Sequence, residues 1–268
     1  TYSLSILSFP TDFKYIRVMK KLIILLLFIP LVSCQEKIEK YYFSDKSKIK
    51  TIYYKSRIND KLQGEAKSYY FSGALNSTEN YVDGLKQGES KVFFESGELQ
   101  ATVNYVDDIV QGEYKSYYKS GVLELSNNFV DGLIQGEGKL YYSSGELKGI
   151  INYKDNLVHG ERIFYWLPAT IGDRIISDGK IKEKHNFING KQEGEQLSFH
   201  MSGELESIVN FKNGNLEGEA KQFYESGELK FTVKNINGKP EGKGKEFYKS
   251  GKLKSVRVFK DGVIVFKN

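Results

Sequence analysis

From residue 51 onward, hydrophobic and polar positions alternate in short runs, and a glycine-bearing turn signal interrupts each run after about seven or eight residues. In QGESKVFFESGEL (residues 87–99), Glu89, Lys91 and Phe93 fall on one face of an extended chain, and Ser90, Val92 and Phe94 on the other. The same pattern reads QGEAKSYYFSGAL 24 residues earlier and QGEYKSYYKSGVL 24 residues later. Aligned on the glycine of the G-E pair, the copies begin at Gly64, Gly88, Gly112, Gly136, Gly160, Gly194, Gly218 and Gly242; every step is 24 residues except 160 to 194, which is 34.

Each unit carries two turn signals. The first is Ser-Gly or Asp-Gly, as at Gly97 and Gly179; the second is mostly Asp-Gly or Asn-Gly, as at Asp83-Gly84 and Asn213-Gly214. Glycine and asparagine accept the positive φ of tight hairpin turns, so the unit reads as a β-hairpin. An adjacent aromatic pair recurs (Tyr69-Tyr70, Phe93-Phe94, Tyr117-Tyr118, with Tyr165-Trp166 and Phe199-His200 as variants), giving each face an aromatic ladder. In the second strand a Leu or Ile follows the turn glycine (Leu75, Leu99, Leu123), and strict alternation puts it on the same face as the aromatic six residues on (Tyr81, Tyr105, Phe129). One hairpin is marginal in water, whereas stacked copies cover one another's side chains, which is the reason to repeat.

The phased pattern G-E-x-K-x-Y-Y-x-S-G-x-L, with a later aromatic and D-G, resembles the bacterial variant of the MORN repeat over about residues 51–268. The resemblance implies an all-β fold: tandem 24-residue hairpins in one elongated, twisted antiparallel sheet, serving as a binding or scaffolding surface. Eight hairpins give roughly sixteen strands and a length on the order of 75 Å. Some members of that family are labelled antitoxins of toxin–antitoxin pairs, which offers an antitoxin or immunity-like protein as an alternative function. The chain departs from the pattern at Asn235, at Asp107-Asp108 and Asp155-Asn156 where turn glycines are missing, and in a ten-residue insertion near 166–175.

The N-terminus reads as an address. Met19-Lys20-Lys21, an apolar run at 22–32 and Ser33-Cys34 fit a signal peptide over 19–33, and Leu31-Val32-Ser33-Cys34 resembles the lipobox of bacterial lipoproteins. Cys34 is then the lipidation site, giving a membrane-anchored protein of the cell envelope; the absence of Asp after Cys34 points to the outer membrane where the host has one. Residues 1–18, opening on Thr1, are expected to be an over-extended or incomplete start, and 34–50 a lipidated cysteine with a charged tether that has room for one irregular strand. Of 39 basic and 34 acidic residues, 35 and 33 remain once 1–33 are set aside, so the body carries no electrostatic footprint for nucleic acid.

The chemistry-bearing residues point to binding rather than catalysis. The Glu column (Glu65, Glu89, Glu113 and onward) singles out no unit and shares a face with Lys two residues on, which suits a solvated charge ladder. His159, His185 and His200 occupy different repeat phases, and no metal-ligand spacing or cofactor fingerprint appears, so neither metal nor cofactor is expected. Asn104, Asn128 and Asn152 stand in a column that would serve either as an amide ladder or as repeated contacts to a glycan. Trp166, Leu167 and Pro168 open the insertion, which is either a tolerated loop or a protruding tip that anchors a partner. The expectation is a non-enzymatic surface for a protein or glycan partner.

Overall fold

The computed structural model describes residues 34–171, 174–177 and 179–267. The expected signal peptide and the segment before it lie outside the described residues. Among the described residues 24 strands form one antiparallel sheet, and Ala169–Ile171 and Arg174–Ser177 form a separate small hairpin. Each strand pairs with its neighbours along the chain, so the sheet is an open meander and not a barrel. Among the described residues nothing covers either face. Ala101, Phe187 and Val233 are the buried apolar side chains among the described residues, and the most completely buried large side chain is polar, Gln196 at 1% exposure.

The D-G turns are the mirror-type turns that match strand twist, with positive φ at both central residues: Asp83 at 51° and Gly84 at 88°. Where glycine is missing the turn persists. Asp107 and Asp108 sit at 51° and 67°, Asp155 and Asn156 at the same values. The strain is offset by the side chain, since Asp108 Oδ1 accepts from Lys86 N at 2.6 Å and Asn156 Oδ1 from Ile134 N at 2.7 Å.

The G-E glycine has its own purpose. Gly88 lies at φ 77° and breaks the first strand into Leu85–Lys86 and Gly88–Phe93. The short piece pairs backward with Tyr81 and Val82, and from Gly88 the strand pairs forward with Tyr105 to Leu99. Two residues more are used between Lys86 and Lys91 than between their partners Tyr81 and Thr78, which is a bulge.

A second bulge corrects the expected side of the leucines. Phe93 faces Leu99 but Val92 faces Ala101, so Gln100 is the extra residue. Leu99 therefore shares a face with Phe93, opposite Tyr105, because one inserted residue reverses the alternation. Within 34–50, read as a charged tether with room for one irregular strand, a strand is present. Gln35–Tyr41 pairs in register with Ile49–Ser56, so the sheet begins immediately after Cys34, whose carbonyl accepts from Arg57 N at 2.8 Å.

Candidate interaction surface

Two kinds of side-chain bond tie each repeat to the next, and both are periodic. Where the second aromatic of a pair is a tyrosine with a repeat after it, it donates to the backbone carbonyl of the first aromatic one repeat on: Tyr70 Oη to Phe93 O at 2.8 Å, Tyr118 to Tyr141 O at 2.8 Å, Tyr142 to Tyr165 O at 2.8 Å and Tyr224 to Phe247 O at 2.7 Å; Phe94 has no such donor. Trp166 does the same across the insertion, its Nε1–H reaching Phe199 O at 3.1 Å, and His200 Nε2 lies 3.3 Å from Phe223 O. The residue before each G-E glycine caps the following turn: Gln63 Oε1 accepts from Asp83 N, Gln111 Oε1 from Asp131 N, Glu193 from Asn213 N and Glu217 from Asn237 N.

The cap and the turn vary together. Gln63, Gln87, Gln111 and Gln135 serve Asp83, Asp107, Asp131 and Asp155, whereas Glu193 and Glu217 serve Asn213 and Asn237. One carboxylate per site avoids setting two like charges side by side. Glu241 with Asp261 breaks this rule. The pairing was visible in the sequence as a switch from Gln with Asp to Glu with Asn, but its 20-residue separation gives it meaning only once the strands are stacked.

The two faces differ in chemistry. On the glutamate face Lys67–Glu65, Lys91–Glu89, Lys115–Glu113 and Lys139–Glu137 pair at 2.7–3.2 Å within each repeat, a ladder of exposed ion pairs. The asparagine column lies directly opposite these glutamates: Glu89 faces Asn104, Glu113 faces Asn128 and Glu137 faces Asn152. Asn152 gives its amide to Glu161 O at 2.8 Å, as Asn186 does to Glu195 O at 3.3 Å, while Asn104 and Asn128 are exposed.

The other, tyrosine face carries Tyr81, Tyr105, Phe129, Tyr153 and Phe187. Here Glu79 accepts from Tyr81 Oη at 2.6 Å and pairs with Lys86 at 2.7 Å; burial, then the bond to Glu79, pushes the Tyr81 phenol well above its ordinary pKa. Farther along, Arg162 stands over the Phe164 and Phe187 rings at 5.4 and 4.9 Å, and its Nη2 lies 3.0 Å from His185 Nδ1. Burial holds the His185 pKa below its usual value; Arg162 adds to that and Glu183 opposes it. Phe164 lies in a seat made by Gly149, where a Cβ would come 2.7 Å from the ring. Two open hollows mark this face, one of about 470 Å³ beside Tyr53 and Tyr81, the other of about 660 Å³ over Val92, Ala101 and Val103.

The three histidines remain apart, His159 with Asn189, His185 with Arg162 and His200 with Phe223. Among the described residues no group of three or more His, Cys, Asp or Glu side chains is placed to hold a metal ion. Trp166 sits at the base of the insertion, closed by its N–H to Lys180 O at 2.9 Å, with Lys182 4.9 Å over its ring. The tip begins beyond it, with Leu167 39% exposed and Pro168 exposed. Cys34 is half-buried at the head of the first strand.

The profile of the MORN repeat variant matches residues 62–83, 86–107, 110–131, 134–155, 192–213, 216–234 and 240–261. The chain belongs to the MORN repeat variant family. MORN repeats commonly mediate binding. The unmatched interval 156–191 is the repeat that holds the insertion. No curated protein matches the chain. Solved structures similar to it include the TcdB2-TccC3-Cdc42 complex (10% identity, TM-score 0.21, covering 84% of this chain and 13% of that one) and TcdB2-TccC3 (10%, 0.20, 87% and 14%). A porin-like protein from Bacteroides uniformis is similar at 10% identity and TM-score 0.16, covering 87% of this chain and 94% of that one. At such scores these likenesses carry no argument about fold or function.

Proposed function

We propose that this MORN repeat protein is a non-catalytic, lipid-anchored component of the cell envelope whose sheet binds a protein or glycan partner. The observation that carries the binding reading is the single-layer sheet: repeats bond to one another through backbone, tyrosine and cap contacts, which leaves both faces accessible. In the first four repeats and again at Glu219 the column glutamates pair with the lysine two residues on, so no one of them is set apart as an acid, which supports a scaffold over a catalyst. The envelope address, in the outer membrane where there is one, rests on the lipobox ending at Cys34. A sheet that starts at Gln35 would then stand directly on the bilayer with no tether. Leu167 and Pro168 at the foot of the tip, and the exposed Asn104 and Asn128, remain offered to a partner. Trp166 and Asn152 already hold carbonyls of the sheet and serve it first.

Membrane fractionation with protease treatment of intact cells tests the address. Wild type in the membrane fraction and Cys34→Ser in the soluble fraction is the expected result; both soluble in the cytoplasm would overturn it.

A further inference from the structure

The hollow beside Tyr53 and Tyr81 owes its existence to residue size at fixed register. Thr51 faces Ser68 and Ser68 faces Ser77, so three small hydroxyl side chains lie side by side on the tyrosine face, with Ala66 next to them. Along the chain the position of Ser68 is taken by Val92, Leu140 and Phe164 and that of Ser77 by Leu125 and Phe231. Those repeats keep the same hairpin, so the sheet does not require small residues there. Ser198 and Ser207 repeat the hydroxyl pair at 2.7 Å, but there the flanking partners are the larger Glu183 and Gln222, where Ser68 has Thr51. What the small residues do is leave about 470 Å³ open. That volume lies in the range of small-molecule sites, roughly 300–1,000 Å³.

The lining selects a ligand class. Tyr53 and Tyr81 stand among the lining residues as aromatic surfaces, and the Ser68 and Ser77 hydroxyls, 2.7 Å apart, belong to the same lining. The charges at the rim are largely answered within the protein: Lys55 by Asp60 at 3.0 Å and Glu79 by Lys86 and Tyr81, with Lys40 5.3 Å over the Tyr53 ring. An apolar ligand would strip water from the hydroxyls and return no hydrogen bond. A phosphate would find its lysines taken or resting on an aromatic ring. A neutral polyhydroxylated ring satisfies both parts, its C–H face against tyrosine and its hydroxyls toward Ser68, Ser77 and the free lone pairs of Glu79.

We propose that the hollow formed by Thr51, Tyr53, Ala66, Ser68, Ser77, Glu79 and Tyr81 is a saccharide-binding site. This rests on the reading of the protein as a binding surface and narrows its ligand to a glycan. The test is calorimetric titration of the full chain with N-acetylglucosamine tetrasaccharide and with maltotetraose, beside sedimentation with isolated peptidoglycan, which separates free oligosaccharide from wall polymer. Ser68→Leu and Ser77→Leu fill the hollow with the residue the chain itself carries at Leu140 and Leu125, so the fold is retained, as circular dichroism checks. The expected result is binding of at least one saccharide, weakened about tenfold or more by either substitution and by Tyr53→Ala. No binding up to about 10 mM of either tetrasaccharide and none to peptidoglycan overturns the assignment, as does undiminished binding by folded Ser68→Leu. Cys34→Ser separates the two claims: it releases the protein from the membrane if the anchor is real and leaves saccharide binding unchanged in either case.

Discussion

At Gly149 a single methyl group would meet both an aromatic ring and a backbone oxygen. A Cβ there would stand 2.7 and 2.8 Å from Phe164 Cδ1 and Cε1 and 3.0 Å from Ile163 O, against ordinary contacts of about 3.4–4 Å. The backbone oxygen is fixed by the ladder, so the ring must move by several tenths of an ångström or more. Phe164 also supports the Arg162 guanidinium, which limits where it can go. Overpacking of this kind costs about 1–3 kcal/mol. Removing glycine from a strand returns about 0.5–1 kcal/mol. The expected net loss for Gly149→Ala is therefore about 0–2.5 kcal/mol, centred on about 1 kcal/mol. Phe164→Leu should remove most of the clash, so the double variant should lose less than the sum of the singles. Urea unfolding with hydrogen exchange of the Gly149 and Phe164 strands reads both quantities, since repeat arrays need not unfold in one step. A stabilising Gly149→Ala, or strict additivity with Phe164→Leu, would refute the argument from ring placement.

Two further outcomes follow from single side chains. Asp108→Ala keeps φ at 67° without the bond to Lys86 N and should cost about 1–2 kcal/mol, a fall of roughly 2–8 °C in melting temperature, whereas Asp108→Asn should stay within about 0.5 kcal/mol. For His185, the folded protein binds the proton less readily than the unfolded chain, because burial lowers the pKa from 6.5. Stability is then full above that value and declines as pH falls from it toward the folded pKa; His185→Gln should flatten the slope measured by denaturation between neutral and mildly acid pH.

Much of this molecule is a consequence of local pattern. The hairpins at Asp83-Gly84 and Ser96-Gly97, the strand at Leu99–Val106 and the Glu89–Lys91 pair each follow from residues fewer than about ten apart, because turn chemistry and alternation act over that range. The repeat period carries the architecture with them, since a unit that cannot cover itself must stack. The sequence alone did not decide what each residue does once stacked. Gly88 reads as a phase marker until the bulge shows it shifting the strand from one neighbour to the next. Gln100 reads as one more alternating position until it reverses the side of Leu99. Gln63 and Tyr118 acquire partners 20 and 23 residues away, and Trp166, read from its sequence as part of a protruding tip, closes the same ladder across 33. The charged stretch after Cys34 becomes a strand only because Ile49–Ser56 offers it an edge. The hollow at Ser68 is likewise a property of three strands brought together, where small side chains leave space that no single strand contains. Local chemistry sets the turns and the strands; which groups meet across strands depends on register, and a register moved by one inserted residue is decided by the assembled sheet.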